Sequence, residues 1–331
     1  MPQDLFLKLI QQMQRLQLSF FKVHGVDDIW SNSKVYEIII ANSLGHNLIP
    51  GHSGSRDANN EEGIDFEYKH YKELSSNHSW TFNDYSDSTI NKLFEENYNL
   101  IFAHINDRIF PPNFGWYYQL QGKEVSNYLS IKTKSIRNSR KMINLSSSQI
   151  ENFFQIPKQI VKQKKQKYKL YIDEIFNITR SLEELTNVKN VLTSNKFWEI
   201  FVAQSLGHQV NSEQGGRKGA HDAYDKLGNS YEYKISKTFS WNFQDISENV
   251  LEKYKEDRQI ILGVIDKKNF LVKKIYGADP ETTIERLREK LKEKEVRFKK
   301  LKKEVRRKQV SLSKRDLQII NAIEIKPYVN L

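Results

Sequence analysis

Residues 37–46 read EIIIANSLGH, and residues 199–208 read EIFVAQSLGH, with seven of ten positions identical at an offset of 162. The correspondence spreads outward from this stretch. Upstream, Ser31-Asn32-Ser33-Lys34 answers to Thr193-Ser194-Asn195-Lys196; downstream, Glu67-Tyr68-Lys69 answers to Glu232-Tyr233-Lys234, and Ser79-Trp80-Thr81-Phe82 to Ser240-Trp241-Asn242-Phe243. Further on, RKMINLS at 140–146 matches RKQVSLS at 307–313. The period is about half of the 331-residue chain, far longer than a solenoid repeat, so each copy should be a domain. The division expected is 1–160 and 161–331. The junction falls near residues 156–169, where Pro157 interrupts any helix and six lysines occur with no acid.

Composition narrows the function classes. Hydrophobic residues at 38% and aromatics at 12%, with 7 Pro and 14 Gly, exclude a collagen-like or wholly disordered polymer. No apolar run approaches the roughly 20 residues that cross a bilayer, and Asp4 and the early glutamines do not suit a secretory signal, so a soluble, cytoplasmic protein without a membrane partner is expected. Without cysteine there is no disulfide framework and no zinc-thiolate site, and any metal must be held by oxygen or imidazole. Fifty-two Lys and Arg against 41 acids give a net charge of +11, which points to an acidic polymer, nucleic acid first.

Each copy reads as the same run of elements. A helix opens after Ser33 or Asn195, carries apolar residues at helical spacing, and stops at Gly45 or Gly207, residues suited to a left-handed cap. His46 and His208, just beyond, read as cap neighbours rather than catalytic groups. A loop with glycines and basic residues follows, leading to Asp57 and Asp222. A short alternating segment (64–70; 231–236) suggests a hairpin, and then come a helical stretch (90–97; 250–257) and an apolar, β-branched strand (100–105; 260–265). Strand, helix, strand implies a parallel pair within a mixed sheet flanked by helices, an α/β fold. The tail of each copy reads as helical, with heptad-like spacing from Ile284 to Val305 in the second, and a capping-box pattern follows at Ser146-x-x-Gln149 and Ser313-x-x-Asp316. Trp80, Phe82, Trp241 and Phe243 alternate with polar residues and favour core packing over base stacking.

The chemistry-bearing residues are Asp57, Glu67 and Lys69, repeated as Asp222, Glu232 and Lys234, with Asp to Glu ten residues and Glu to Lys two in both copies. Side chains alternate along a strand, so each Glu and Lys share a face, and a hairpin partner brings the Asp alongside. Hard Mg2+ prefers carboxylate and carbonyl oxygens, so Asp, Glu and the carbonyl of Tyr68 or Tyr233 suit it, and the cation would neutralise a phosphate and activate a water. The lysine would orient that water, offset charge in the transition state or, with a depressed pKa, accept a proton. A single Glu-x-Lys pair is often just a solvated surface; here the trio recurs while most neighbours have diverged. Asp65 offers a competing carboxylate in the first copy.

The pattern of Asp, nine residues, Glu-x-Lys, preceded by a helix carrying a Glu, resembles the PD-(D/E)XK nuclease superfamily and, within it, type II restriction endonucleases. The resemblance covers about 70 residues of each copy, so the fold it implies is an internal duplication of a restriction-endonuclease-like core. It further implies Mg2+-dependent cleavage of double-stranded DNA, catalytic roles for the two trios, and Glu37 and Glu199 as additional metal carboxylates. The motif's proline is absent; Arg56 and His221 stand in its place. Arg56, Arg217 and Lys218, beside the metal Asp in each copy, suit contacts to DNA phosphates.

Cutting both strands of a duplex usually takes two active sites, most often supplied by a homodimer. One chain with two copies would act as a monomer, each site cutting one strand, with a cognate DNA methyltransferase expected in the same host. Lys69 to Trp80 spans eleven positions and Lys234 to Trp241 seven, so the copies present unequal loops and suit an imperfectly symmetric target. Two other readings share these features: a structure-specific repair or recombination nuclease, and a non-catalytic DNA-binding protein retaining two nuclease folds.

Overall fold

The structure, a computed structural model, describes residues 3–50, 56–136, 141–162, 166–211, 221–300 and 308–327. In chain order its elements are α1 (Gln3–His24), α2 (Lys34–Leu44), β1 (Asn47–Leu48), β2 (Ala58–Asn59), β3 (Asp65–Lys72), β4 (Ser79–Tyr85), α3 (Asp87–Glu96), β5 (Asn99–Asn106), β6 (Asn113–Gln121), α4 (Gly122–Thr133), β7 (Lys141–Ser146), α5 (Ser147–Phe154) and β8 (Gln159–Ile160). There follow α6 (Lys169–Thr186), α7 (Lys196–Ser205), β9 (Gln209–Val210), β10 (Ala223–Tyr224), β11 (Ser230–Ser236), β12 (Ser240–Phe243), α8 (Glu248–Tyr254), β13 (Gln259–Asp266), β14 (Leu271–Ala278), α9 (Pro280–Lys300), β15 (Val310–Ser313), α10 (Asp316–Ile319) and β16 (Ile323–Glu324). No helix among the described residues is long and apolar enough to cross a membrane.

The chain divides into two compact units. The first comprises Phe20–Asp27 and Lys34–Phe176; the second comprises Met1–Ser19, Asp28–Ser33 and Asn177–Leu331. The passage at Phe176 lies inside α6, later than the lysine run. Within the second unit, residues 28–33 are fixed by a buried ion pair and two backbone bonds. Lys267 Nζ lies 2.7 Å from Asp28 Oδ2, the two side chains being 4% and 2% exposed, and Asn32 N and Ser33 N donate to the carbonyls of Ser194 and Leu192.

The first unit carries a six-stranded mixed sheet in the order β1-β2-β3-β5-β6-β8, and the second the order β9-β10-β11-β13-β14-β16. Sense and register repeat. β2 turns back on β3 with Ala58 opposite Phe66, and β10 on β11 with Ala223 opposite Tyr231. β3 then runs parallel to β5 with Glu67 opposite Leu100, as β11 runs parallel to β13 with Glu232 opposite Ile260. The expected hairpin and parallel pair are thus present, and the class is α/β. Each unit adds a two-stranded ladder, β4 with β7 (Trp80 opposite Leu145) and β12 with β15 (Trp241 opposite Leu312).

The cores explain why these segments take these forms. Trp80, Phe82, Leu93, Phe102, Tyr118 and Leu145 bury together in the first unit; Trp241, Phe243, Leu251, Leu262, Ile284 and Leu312 do so in the second. Both tryptophans satisfy their only polar atom inside the core, Trp80 Nε1 donating to Ala103 O and Trp241 Nε1 to Gly263 O, each at 2.9 Å. Helices α2 and α7 end where Gly45 and Gly207 take φ of 75° and 69°. The Ser146 capping box opens α5, whereas at Ser313 the backbone N–H and hydroxyl both donate to Asp316 and only the four residues of α10 follow. The heptad pattern is helical as far as Lys300, with Ile284 and Leu287 buried; Leu301 and Val305 lie outside the described residues.

Candidate active sites

In the first unit three elements bring carboxylates within electrostatic reach of one another. Glu67 comes from β3 and is only 4% exposed. Asp57 is locked just ahead of β2: its N–H donates to Phe66 O at 2.7 Å, its C=O accepts from Ile49 N at 2.9 Å, and its Oδ2 accepts from Tyr68 N at 2.6 Å. Because the Tyr68 amide belongs to the Glu-Tyr-Lys strand, that bond ties the aspartate directly to the motif. Glu37 reaches in from the first turn of α2, ion-paired with Lys34. Lys69 pairs with Glu67 Oε1, its ammonium 5.6 Å from the Phe82 ring centre and 5.8 Å from that of Tyr85.

The second unit repeats the arrangement. Asp222 Oδ2 accepts from Tyr233 N at 2.8 Å and its own N–H donates to Tyr231 O at 3.1 Å. Lys234 pairs with Glu232 Oε1 and lies 5.6 and 5.9 Å from the rings of Phe243 and Tyr254. Glu199, from the first turn of α7, feels both Glu232 and Lys234. The six residues expected to carry catalysis and both extra glutamates are therefore gathered into one cluster per unit.

The electrostatics follow from charge and burial. Burial first, then repulsion from Glu37, lifts the Asp57 carboxyl to about 8, against the pull of Lys34 and the Tyr68 amide. Glu199 is lifted to about 7 by burial and Glu232, and Asp222 is pushed well above the ordinary carboxylate range by burial, Glu232 and Glu199. For Lys69 and Lys234, burial lowers the pKa, but Glu67 and Glu232 outweigh it and the net direction is upward. Both lysines are ammoniums, so of the three roles open to them, proton acceptor is not available in this state.

Each cluster sets three carboxylates against two ammoniums, Lys34 and Lys69 or Lys196 and Lys234. Among the described residues no three acidic or histidine side chains close on a common point. The donors are nevertheless hard oxygens, partly buried and mutually repelling, and a divalent cation such as Mg2+, by displacing the retained carboxyl protons, fits that set.

Arg56 is held by Asp65 at 2.8 Å and Glu96 at 3.2 Å, which also engages the competing carboxylate, Asp65. Its counterpart His221 lies 2.8 Å from Asp257 Oδ1 through Nδ1 and 3.4 Å from Glu256 Oε2 through Nε2. Arg217 and Lys218 lie outside the described residues. His46 and His208 contact the hydroxyls of Tyr68 and Tyr233 through Nδ1, at 2.8 and 2.7 Å, and stack near Phe66 and Tyr231. They brace the far side of the motif strand. Trp80, Phe82, Trp241 and Phe243 are fully buried.

Sequence reasoning missed Lys34 and Lys196, whose signal was available: both recur at the same offset, three residues before the helix glutamate. It also missed the tyrosine hydroxyls on Glu67, from Tyr85 and Tyr98, and the Tyr254 ring beside Lys234. No protein-family model and no curated protein matches the chain.

Proposed function

We propose that this chain is a Mg2+-dependent endodeoxyribonuclease of the type II restriction kind, sequence-specific for double-stranded DNA and built on two PD-(D/E)XK-like cores. The observation that carries the reading is the recurrence of one carboxylate and lysine cluster in the same strand register of both units. A surface ion pair has no reason to recur with its aspartate tied to the same backbone amide.

In this reading Asp57, Glu67 and Glu37 hold the cation in the first unit, and Asp222, Glu232 and Glu199 in the second. When bound, Mg2+ supplies charge neutralisation of the scissile phosphate and a water of lowered pKa. Lys69 and Lys234, kept protonated by their glutamates, donate hydrogen bonds to the attacking water or to a phosphoryl oxygen and offset negative charge developing there. The rings beside them exclude water from the ammonium's flank and restrict its swing. Asp57 and Asp222 keep their orientation through the Tyr68 and Tyr233 amides. The net charge of +11 favours capture of a polyanion. A restriction role calls for a partner DNA methyltransferase that protects the host sequence.

The test is digestion of an unmethylated plasmid of known sequence with Mg2+, followed by mapping of the ends. Discrete fragments with one shared end sequence support the reading. A smear would move it to a structure-specific or nonspecific nuclease, and binding without any Mg2+-dependent cutting would move it to a non-catalytic DNA-binding protein.

A further inference from the structure

Glu67 is hydrogen-bonded by two tyrosines that the repeat does not share. Tyr85, at the end of β4, donates to Glu67 Oε1 at 3.1 Å and lies 3.4 Å from Oε2; Tyr98, just ahead of β5, donates to Oε2 at 3.0 Å. Both tyrosines are buried, at 7% and 6% exposure. In the second unit their places are taken by Ile246, which likewise precedes the helix N-cap serine, and by Arg258, which likewise precedes the parallel strand. There Tyr254 in α8, five residues before β13, stands beside the motif pair, its ring centre 5.9 Å from the Lys234 ammonium that engages Glu232. Five residues before β5 the first unit has Phe94, which has no hydroxyl.

A carboxylate has about four acceptor directions. Buried hydroxyls that take some of them leave fewer orientations for the rest, and outer partners of this kind fix ligands and tune metal affinity. Resting on the metal-site reading above, we propose that Tyr85 and Tyr98 are positioning residues for Glu67, and Tyr254 for Glu232, each holding the carboxylate that takes the cation. The two sites should then lose metal independently when their own hydroxyls are removed.

The experiment compares the parent chain with Tyr85→Phe/Tyr98→Phe, Tyr98→Phe alone and Tyr254→Phe, substitutions that keep the rings. Mn2+ binding is titrated without DNA by the electron paramagnetic resonance of free Mn2+. The Mg2+ midpoint for cleavage is read separately on each labelled strand of a duplex carrying the mapped target. Expected is an affinity loss of about 10- to 100-fold at one site only. The double variant should raise the Mg2+ midpoint for one strand and Tyr254→Phe for the other, each variant losing one of two Mn2+ ions at a concentration that saturates the parent. Unchanged Mn2+ binding would overturn the assignment, whatever the variant's melting temperature, as would equal loss on both strands or a parent that binds no Mn2+. A parent that binds Mn2+ but never cuts DNA would instead remove the nuclease reading, and the Mn2+ titrations would still decide the tyrosines.

Discussion

Asp57 is the residue in which the physics of the first site is most exposed. Its carboxyl sits at about 8, against an ordinary 3.8, because burial and Glu37 penalise the anion more than Lys34 and one amide favour it. Between those values the folded, metal-free chain retains a proton that the unfolded chain has released, so stability falls as pH rises through that window. Glu199, at about 7, pushes the same way in the second unit. A cation must displace these protons, so its apparent affinity should climb with pH and level off above about 8. Melting temperatures with a chelator should therefore drop from about pH 6 to about pH 8.5, and added Mg2+ should stabilise more at the higher pH. An Mg2+-induced gain that is the same at both would argue against cation binding by these carboxylates. The Asp, Glu and Lys spacing was legible in the sequence because duplication repeats it. The tyrosines beside the motif pairs were not, because Tyr85 and Tyr254 occupy different places in their copies and only coordinates bring each beside its lysine.

The elements the sequence revealed were those carrying a strong local signal: the helix closed by Gly45 or Gly207, the motif hairpin and the apolar parallel strand. Strands β6 and β14 escaped notice for a physical reason. Gly115 and a run of half-buried aromatics blur the alternation in one, and two exposed lysines blur it in the other. Helices α1 and α6 lie where the two copies have diverged too far for the repeat to flag them. After β6 the first unit enters α4 through Gly122 and the second enters α9 through Pro280, both at the first helical position. Gly122 is there because of a close approach: a Cβ would come within 2.7 Å of Leu93 O and 2.9 Å of Tyr98 O, and its N–H already donates to Tyr98 O. Both obstacles are backbone and cannot rotate aside. Gly122→Ala should destabilise the first unit by about 1–3 kcal/mol in chemical denaturation. It should also weaken first-site metal binding by moving Tyr98. A variant as stable as its parent would show that α3 and α4 shift apart at little cost.

At the scale of the whole molecule, the proposed nuclease reading gives the duplication a purpose, since a duplex has two strands and this chain has two clusters. Each unit builds its cluster from its own strand pair and its own helix glutamate, so removing one should leave the other chemically intact. Glu232→Ala leaves Lys234 without its carboxylate partner and the second site short of a ligand, and Glu67→Ala does the same in the first. Cleavage at the altered site should fall by about 100-fold or more, in the range lost when a preorganised charge-stabilising group is deleted. With one site silenced, supercoiled plasmid should accumulate as open circles, and strand-resolved mapping should place the nick on one strand for Glu232→Ala and on the complementary strand for Glu67→Ala. The double variant should retain DNA binding, since the chain's excess of 11 positive charges is distributed well beyond the clusters. Abolition of all nicking by either single change would mean that the two clusters act as one catalytic centre. Linear product at the parental rate would mean that one cluster cuts both strands, and the altered copy would then be a recognition element with a catalytic ancestry.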